Sequence, residues 1–177
     1  LFPYTTLFRS DRSVRPTADR LRETIFNILA GEIRDAAVLD LFAGTGALGI
    51  EALSRGASSA CFVDRSRGAL ALLGKNLKTC RLENISRTIC WDIRRNLACL
   101  RDADPAFSLV FIDPPYARDL TCRTLEHLHR SRSAAAGACI VVEHSTTESI
   151  RLDAGVFRIE DQRRQGNTLV SFIRYLV

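Results

Sequence analysis

The stretch Val38 to Gly49, VLDLFAGTGALG, decides the fold, because a short apolar run ends in an acidic residue and then breaks into glycines. It predicts a buried strand, a tight turn and the first turn of a helix. In parallel α/β sheets such a turn lies at the carboxyl edge of the strands, where ligands bind, and its glycines let backbone N–H groups approach a ligand closely. The stretch therefore predicts a site for a nucleotide-like cofactor.

Strands and helices alternate outward from this stretch. An amphipathic helix is predicted from Pro16 to about Gly31, and a closing hairpin from the runs Val156–Asp161 and Thr168–Tyr175. Further strands are predicted at 59–63, 87–90, 108–112 and 139–142, with helices at 66–79 and 120–130. This alternation predicts an α/β protein of Rossmann-like form, with a mostly parallel sheet, right-handed crossovers and helices on both faces.

The composition fits one domain. A chain of 177 residues with 46% hydrophobic residues can bury a substantial core. We expect residues 1–10 to be a leader outside the fold and residues 11–177 to form the domain. The net charge of +5 is carried almost entirely by arginine, whose fork suits phosphates and base edges. A nucleic-acid partner and a merely solvated basic surface explain this charge equally well.

The sequence gives no sign of a membrane span or a metal. No apolar run approaches the roughly 20 residues that cross a bilayer. The cysteines lack CxxC pairs and His-spaced partners, so neither a zinc site nor a disulfide framework is predicted. Free thiols suit a reducing compartment, and we expect a cytoplasmic protein.

Acidic residues follow four of the predicted strands: Asp40, Asp64, Asp92 and Asp113. A single aspartate in this position is commonly a turn or cap residue. Because the carboxyl ends of parallel strands meet at one edge of a sheet, four such residues predict a row of carboxylates at the ligand edge.

Two cofactors compete for the glycine turn. Gly44, Gly46 and Gly49 satisfy the dinucleotide fingerprint, and Asp64 lies about twenty residues on, so a nicotinamide dehydrogenase is a rival. Asp40, however, would repel a pyrophosphate and favour a cation, which favours S-adenosylmethionine. Asp64 would hold its ribose and Asp92 its adenine amine. The predicted cofactor residues are Asp40, Phe42, Ala43, Gly44, Thr45, Gly46, Asp64, Arg65 and Asp92.

The second motif is Asp113-Pro114-Pro115-Tyr116, which we expect two strands away from the glycine turn. Its prolines stiffen the backbone. Asp113 and the Pro114 carbonyl can accept both hydrogens of an exocyclic amine, while Tyr116 stacks on the base. An ionised aspartate has only acceptors and so complements the N1–H and N2 amine of guanine, whereas an asparagine could serve adenine. The motif predicts amine methylation by positioning of the reactants.

These residues resemble a known family. RPTADRLRETIFNIL, VLDLFAGTGALGIEALSRGA, FIDPPY and RQGNTLVSFIRY are similar to the bacterial small-subunit ribosomal RNA guanine-N2 methyltransferases, over roughly Val14 to Tyr175. The resemblance implies a class I methyltransferase with a seven-stranded sheet whose last strand is antiparallel. It also implies S-adenosylmethionine as methyl donor and a flipped-out guanine of 16S ribosomal RNA as target.

From this resemblance we expect a monomer that acts on 16S ribosomal RNA within a partly assembled small subunit. The expected RNA contacts are Arg15, Arg20, Arg22 and Arg118. Two other functions remain open: an amino-methyltransferase for adenine N6 or cytosine N4, and an RNA-binding assembly factor that kept the fold without the activity.

Overall fold

The computed structural model describes residues 16–101, 103–115 and 119–177, so the expected leader lies outside the described residues. The strands are β1 (Ala37–Leu41), β2 (Ser59–Asp64), β3 (Ser86–Cys90), β4 (Phe107–Ile112), β5 (Ala134–Ser145), β6 (Phe157–Gln165) and β7 (Thr168–Tyr175). The α-helices are α1 (Pro16–Ile28), α2 (Ala47–Ser54), α3 (Arg67–Cys80) and α4 (Leu120–Ser131).

These strands form one seven-stranded sheet in the order β3-β2-β1-β4-β5-β7-β6. The first five strands of the chain pair in parallel, whereas β7 pairs antiparallel with both β5 and β6. The α/β class, the parallel sheet and the closing hairpin are therefore confirmed. The pairing also separates this sheet from the dinucleotide-binding order 3-2-1-4-5-6.

The expected separation between the two motifs is wrong. Strand β4 lies directly beside β1, with Asp40 opposite Phe111 and Leu41 opposite Ile112. The chain places β2 and β3 on one side of β1 and β4 on the other, so the strand order reverses between β1 and β4. Ligands of open α/β sheets bind at such a reversal, and both motifs meet there.

Helices cover both faces because side chains in each strand alternate between two cores. In β1, Val38 packs into a core with α1, α2 and α3, whereas Leu39 packs into a second core with α4. Helix α1 contacts the sheet through an aromatic pair, Phe26 and Phe111, whose ring centroids lie 5.8 Å apart. Both cores end at the carboxyl edge of the sheet and fix the turns that follow β1, β2 and β4.

Two strands are longer than the sequence predicts. Strand β5 begins at Ala134, earlier than the predicted Cys139, and β6 ends at Gln165, later than the predicted Asp161. The start of β5 was missed because the small residues AAAG carry no β-strand signal. Ala134 pairs with Phe107, and the register then shifts before Cys139 pairs with Leu109. Between β3 and β4, where no helix is predicted, the described residues form a 3-10 turn at Ala98–Leu100. Within the described ranges, no helix is long and apolar enough to cross a membrane.

Candidate active site

The glycine turn between β1 and α2 depends on backbone conformations that favour glycine. Gly44 has φ +54° and Gly46 has φ +84°, and Phe42 adopts φ +60° despite its side chain. A Cβ on Gly46 would lie 2.3 Å from Leu73 Cδ1, and a Cβ on Gly49 would lie 2.3 Å from the Phe62 ring. These two glycines therefore allow α2 to pack closely against β2 and α3.

Gly44 has a different role from the other two glycines. A Cβ built on it would meet only the Phe42 carbonyl oxygen, at 4.0 Å. Its backbone therefore borders open space, which a ligand can occupy. This difference divides the motif into one glycine beside open space and two glycines that serve packing.

Three polar side chains hold the turn in place. Asp40 Oδ2 accepts from the Gly49 N–H at 2.9 Å, and Asp64 Oδ2 accepts from the Gly44 N–H at 2.9 Å. From the other side, Asn76 of α3 donates from Nδ2 to the Thr45 carbonyl at 3.0 Å. Asn76 is fully buried and was not recognised from sequence, because a lone asparagine in a helical pattern carries no such signal.

Beside the turn lies a cleft of about 660 Å³ at the carboxyl edge of the sheet. It brings together residues from the ends of β1, β2, β3, β4 and β5. The lining residues are Phe42, Asp64, Arg65, Trp91, Asp92, Ile93, Arg94, Asp113, Pro114, Pro115, Leu120 and Glu143. Five predicted site residues from the ends of four strands thus face one space, together with both prolines: Phe42, Asp64, Arg65, Asp92 and Asp113.

Asp113 enters this cleft without a hydrogen-bond donor among the described residues. Pro114 is buried beneath it and Pro115 is exposed. Neighbouring protein atoms displace part of the water around the Asp113 carboxylate and raise its pKa. Asp113 is solvent-exposed, so the site presents an accessible acceptor to a ligand. Tyr116, the fourth residue of the motif, lies outside the described residues.

The carboxyl edge of the sheet is strongly acidic. Burial, together with the charges of Asp113 and Asp64, raises the pKa of Asp40 to about 7, although the Gly49 N–H opposes this shift. Glu143, at the end of β5, also has a raised pKa, first because of burial and then because of the negative charge of Asp113. These carboxylates repel one another and favour a cationic ligand.

Asp92 is the exception in this row, because an arginine neutralises it. Arg94 donates from Nε and Nη2 to the two Asp92 oxygens, each at 2.9 Å. These hydrogen bonds lower the pKa of Asp92 to about 2. Its oxygens keep further lone pairs, so a contact with an adenine amine stays a prediction.

Of the predicted RNA contacts, those that the structure describes do not line the cleft. Arg20 is exposed and Arg22 half-buried on α1, and neither lines the cleft. Arg15 and Arg118 lie outside the described residues. In the part of the chain that the structure describes, no three His, Cys, Asp or Glu side chains are placed so that they could hold one metal ion.

Comparison with known proteins identifies the family. The family model described as "Conserved hypothetical protein 95" matches residues 6–174. A Bacillus subtilis protein, described provisionally as the rRNA methyltransferase YlbH, is 37% identical over 132 residues, which cover 75% of this chain and 72% of that protein. The chain belongs to this methyltransferase family. The ribosomal RNA small subunit methyltransferase D of Escherichia coli K12 is 42% identical over 130 residues, covering 73% of this chain and 64% of that enzyme.

Comparison with solved structures supports the same family. A solved Escherichia coli structure, described provisionally as the methyltransferase yhhF, superposes with a TM-score of 0.84 at 31% identity, covering 96% of this chain and 91% of that one. The class I methyltransferase fold is thus confirmed. The chain spans slightly less than two thirds of the Escherichia coli methyltransferase D.

Asp40 gives this methyltransferase a testable pH dependence. Because its folded-state pKa is raised from 3.8 to about 7, the folded state holds the proton more tightly, and stability is lost as pH rises from about 4 to 7. Asp40→Asn keeps an oxygen for the Gly49 N–H and removes the charge. At pH 8 we expect the free energy of unfolding of the variant to exceed that of the wild type by about 1–3 kcal/mol.

Urea unfolding of both proteins at pH 4.5 and pH 8 measures this effect. The variant's advantage should shrink to about a quarter of its pH 8 value at pH 4.5, where Asp40 is neutral in the folded state and pH has only begun to cross the range between its two pKa values. An equal difference at the two pH values would contradict a buried, titrating Asp40.

Proposed function

We propose that the protein transfers a methyl group from S-adenosylmethionine to the exocyclic N2 amine of a guanine in 16S ribosomal RNA. Its family supports the reaction class, and the relative from Escherichia coli is named a ribosomal RNA small subunit methyltransferase. The observation that carries the proposal is the meeting of the glycine turn and the Asp113-Pro114-Pro115 segment at one cleft, after the adjacent strands β1 and β4.

The residues present fit S-adenosylmethionine. The open space beside Gly44 leaves room for a ligand at the backbone, and Asp64 keeps lone pairs for ribose hydroxyls beyond its bonds to Gly44 and Ser66. The acidic edge suits a sulfonium and an ammonium and would repel a pyrophosphate. Bound there, the cofactor supplies an electrophilic methyl group. The other predicted cofactor residues are Phe42, Ala43, Thr45, Gly46 and Arg65, of which Phe42 and Arg65 line the cleft, whereas Ala43 and Gly46 are buried and would support the turn.

The target amine would be oriented by Asp113. Its carboxylate lacks a donor among the described residues, and the Pro114 carbonyl lies next to it in the chain. These two acceptors would hold both amine hydrogens and direct the nitrogen lone pair toward the methyl donor. Because an ionised carboxylate also suits the N1–H of guanine, guanine N2 is favoured over adenine N6. Stacking of the base on Tyr116 completes this proposal.

The RNA partner is inferred from the family and the charge. The net charge of +5 supports contact with phosphates, and Arg15, Arg20, Arg22 and Arg118 remain the proposed contacts. We further propose that the protein works as a cytoplasmic monomer on a partly assembled small subunit. An assembly factor of the same fold would bind the same RNA without using Asp113.

Calorimetric titration tests the cofactor. We expect S-adenosylmethionine to bind the protein, and NADH, which shares its adenosine but carries a pyrophosphate, to bind at least about tenfold more weakly because of the acidic edge. Tighter binding of NADH would favour the dehydrogenase.

A further inference from the structure

Glu143 lies beside Asp113 at the end of the neighbouring strand. Ile112 of β4 pairs with Val142 of β5, so Asp113 and Glu143 follow directly after a paired position. Ile112 and Val142 both belong to the core on the α4 face, and side chains alternate along strands. The two carboxylates therefore extend from the same side of the sheet, and both line the cleft.

The Glu143 carboxylate also lacks a donor in the described ranges of the chain. It is half-buried at the cleft wall, so water satisfies it only in part. Two adjacent carboxylates repel each other, and a ligand or a proton relieves this repulsion. Neither the packing of β5 nor the glycine turn requires an acid here, so the side chain is available for chemistry.

Among the described residues, the charged group that acts on Glu143 is negative. From β4 it faces Asp113, and from β1 the charge of Asp40 interacts with Asp113 in turn. From β7 its pairing partner is Val170, which cannot titrate. The next residue, His144, bonds through Nε2 to Ser171 at 2.8 Å and is buried. Burial and the Asp113 charge raise the pKa of Glu143 to about 7, which suits a group that accepts a proton near neutral pH.

We propose that Glu143 accepts the proton that the target amine loses during methyl transfer, while Asp113 orients that amine. The inference rests on the proposed function and adds a second residue to it. Asp113 thus positions the amine and hands on its proton, and Glu143 is the final acceptor of that proton.

The proposed step balances without a further reactant. The amine nitrogen forms a bond to the methyl carbon, the carbon–sulfur bond breaks, and its electron pair stays on sulfur. The nitrogen, now positively charged, releases the proton that Asp113 holds, and Asp113 passes this proton to the neighbouring Glu143 carboxylate. Glu143 then passes this proton to solvent at the open side of the cleft, and the net products are the methylated base, the thioether and one proton.

Single-turnover methyl transfer onto small-subunit RNA across pH 5.5 to 8.5 tests the role of Glu143. In the wild type the rate should rise with pH and level off above the pKa of the acceptor. Glu143→Gln should lower the plateau rate at pH 8.5 by about a hundredfold and remove the rise between pH 6 and 8. Affinity for S-adenosylmethionine should stay within about threefold, and Glu143→Asp should restore part of the rate.

Glu126→Gln is the control, since Glu126 is an exposed acid on α4, with a side chain 63% exposed. It should leave both the plateau and the pH profile unchanged. Circular dichroism melting confirms that each variant is folded.

The outcomes separate three cases. If Glu143→Gln keeps the wild-type plateau rate at pH 8.5, Glu143 only tunes Asp113 and the proposal is overturned. If the plateau falls but the pH rise persists, Glu143 has a structural role and the proposal is likewise overturned. If the folded wild type binds S-adenosylmethionine but transfers no methyl group to RNA, the proposed function itself fails, and the assignment of Glu143 fails with it.

Discussion

Asp113→Ala should lower single-turnover methyl transfer at least about a thousandfold while affinity for S-adenosylmethionine changes less than about tenfold. The variant loses the acceptor that would orient the target amine, whereas the glycine turn, held by Asp40, Asp64 and Asn76, stays intact. Because Asp113 receives no hydrogen bond from a described residue and repels Asp40 and Glu143, its removal should not reduce the free energy of unfolding.

Radiolabelled methyl transfer and calorimetry measure the two effects separately. Asp113→Asn, which keeps one acceptor oxygen, should retain more activity than the alanine variant. Glu83→Ala serves as control, because Glu83 is an exposed acid just before β3, at the opposite edge of the sheet. A parallel loss of cofactor affinity and transfer in Asp113→Ala would contradict this division of roles.

Gly46→Ala should destabilise the fold by about 2–4 kcal/mol. The new Cβ would lie 2.3 Å from Leu73 Cδ1 and 3.2 Å from Ile50 Cδ1, and the residue would have to keep φ +84°. Leu73 is fully buried, so its side chain has little room to move. Urea unfolding at neutral pH measures this loss.

Two other glycines provide matched comparisons. Gly74 lies within α3 with nothing within 4 Å of a Cβ, so Gly74→Ala should raise the free energy of unfolding by up to about 1 kcal/mol. Gly44→Ala meets no close atom and should cost only about 1–2 kcal/mol for its left-handed backbone, yet it should weaken S-adenosylmethionine binding. Equal stabilities for Gly46→Ala and Gly74→Ala would contradict the packing role of Gly46.

The sequence predicted those parts of the site that local patterns encode. Acidic residues end or follow the apolar runs of β1 to β4, and glycines follow the first of these runs. The sequence alone shows this arrangement. Asp64 and Asp113 therefore reach the cleft as expected. The order of strands in a sheet depends on contacts between distant parts of the chain. The sequence pattern therefore did not predict that β4 lies directly beside β1.

Residues that act through tertiary contact were harder to find. Asn76 lies 31 positions from Thr45, and nothing near it in sequence indicates that bond. Arg94 neutralises Asp92, although arginines abound in this chain and none stands out. Glu143 had a usable signal, because it directly follows the predicted strand 139–142, as Asp64 and Asp113 follow theirs, but its significance depends on Asp113 being its neighbour.

Nucleoside mass spectrometry of treated RNA tests the central claim most directly. Small subunits from cells that lack the modification are incubated with the protein and S-adenosylmethionine, and the RNA is digested. We expect N2-methylguanosine at one position of 16S ribosomal RNA with the wild type and none with Asp113→Ala. Methylation at adenine N6 or cytosine N4, or no methylation by folded protein that binds S-adenosylmethionine, would contradict the account.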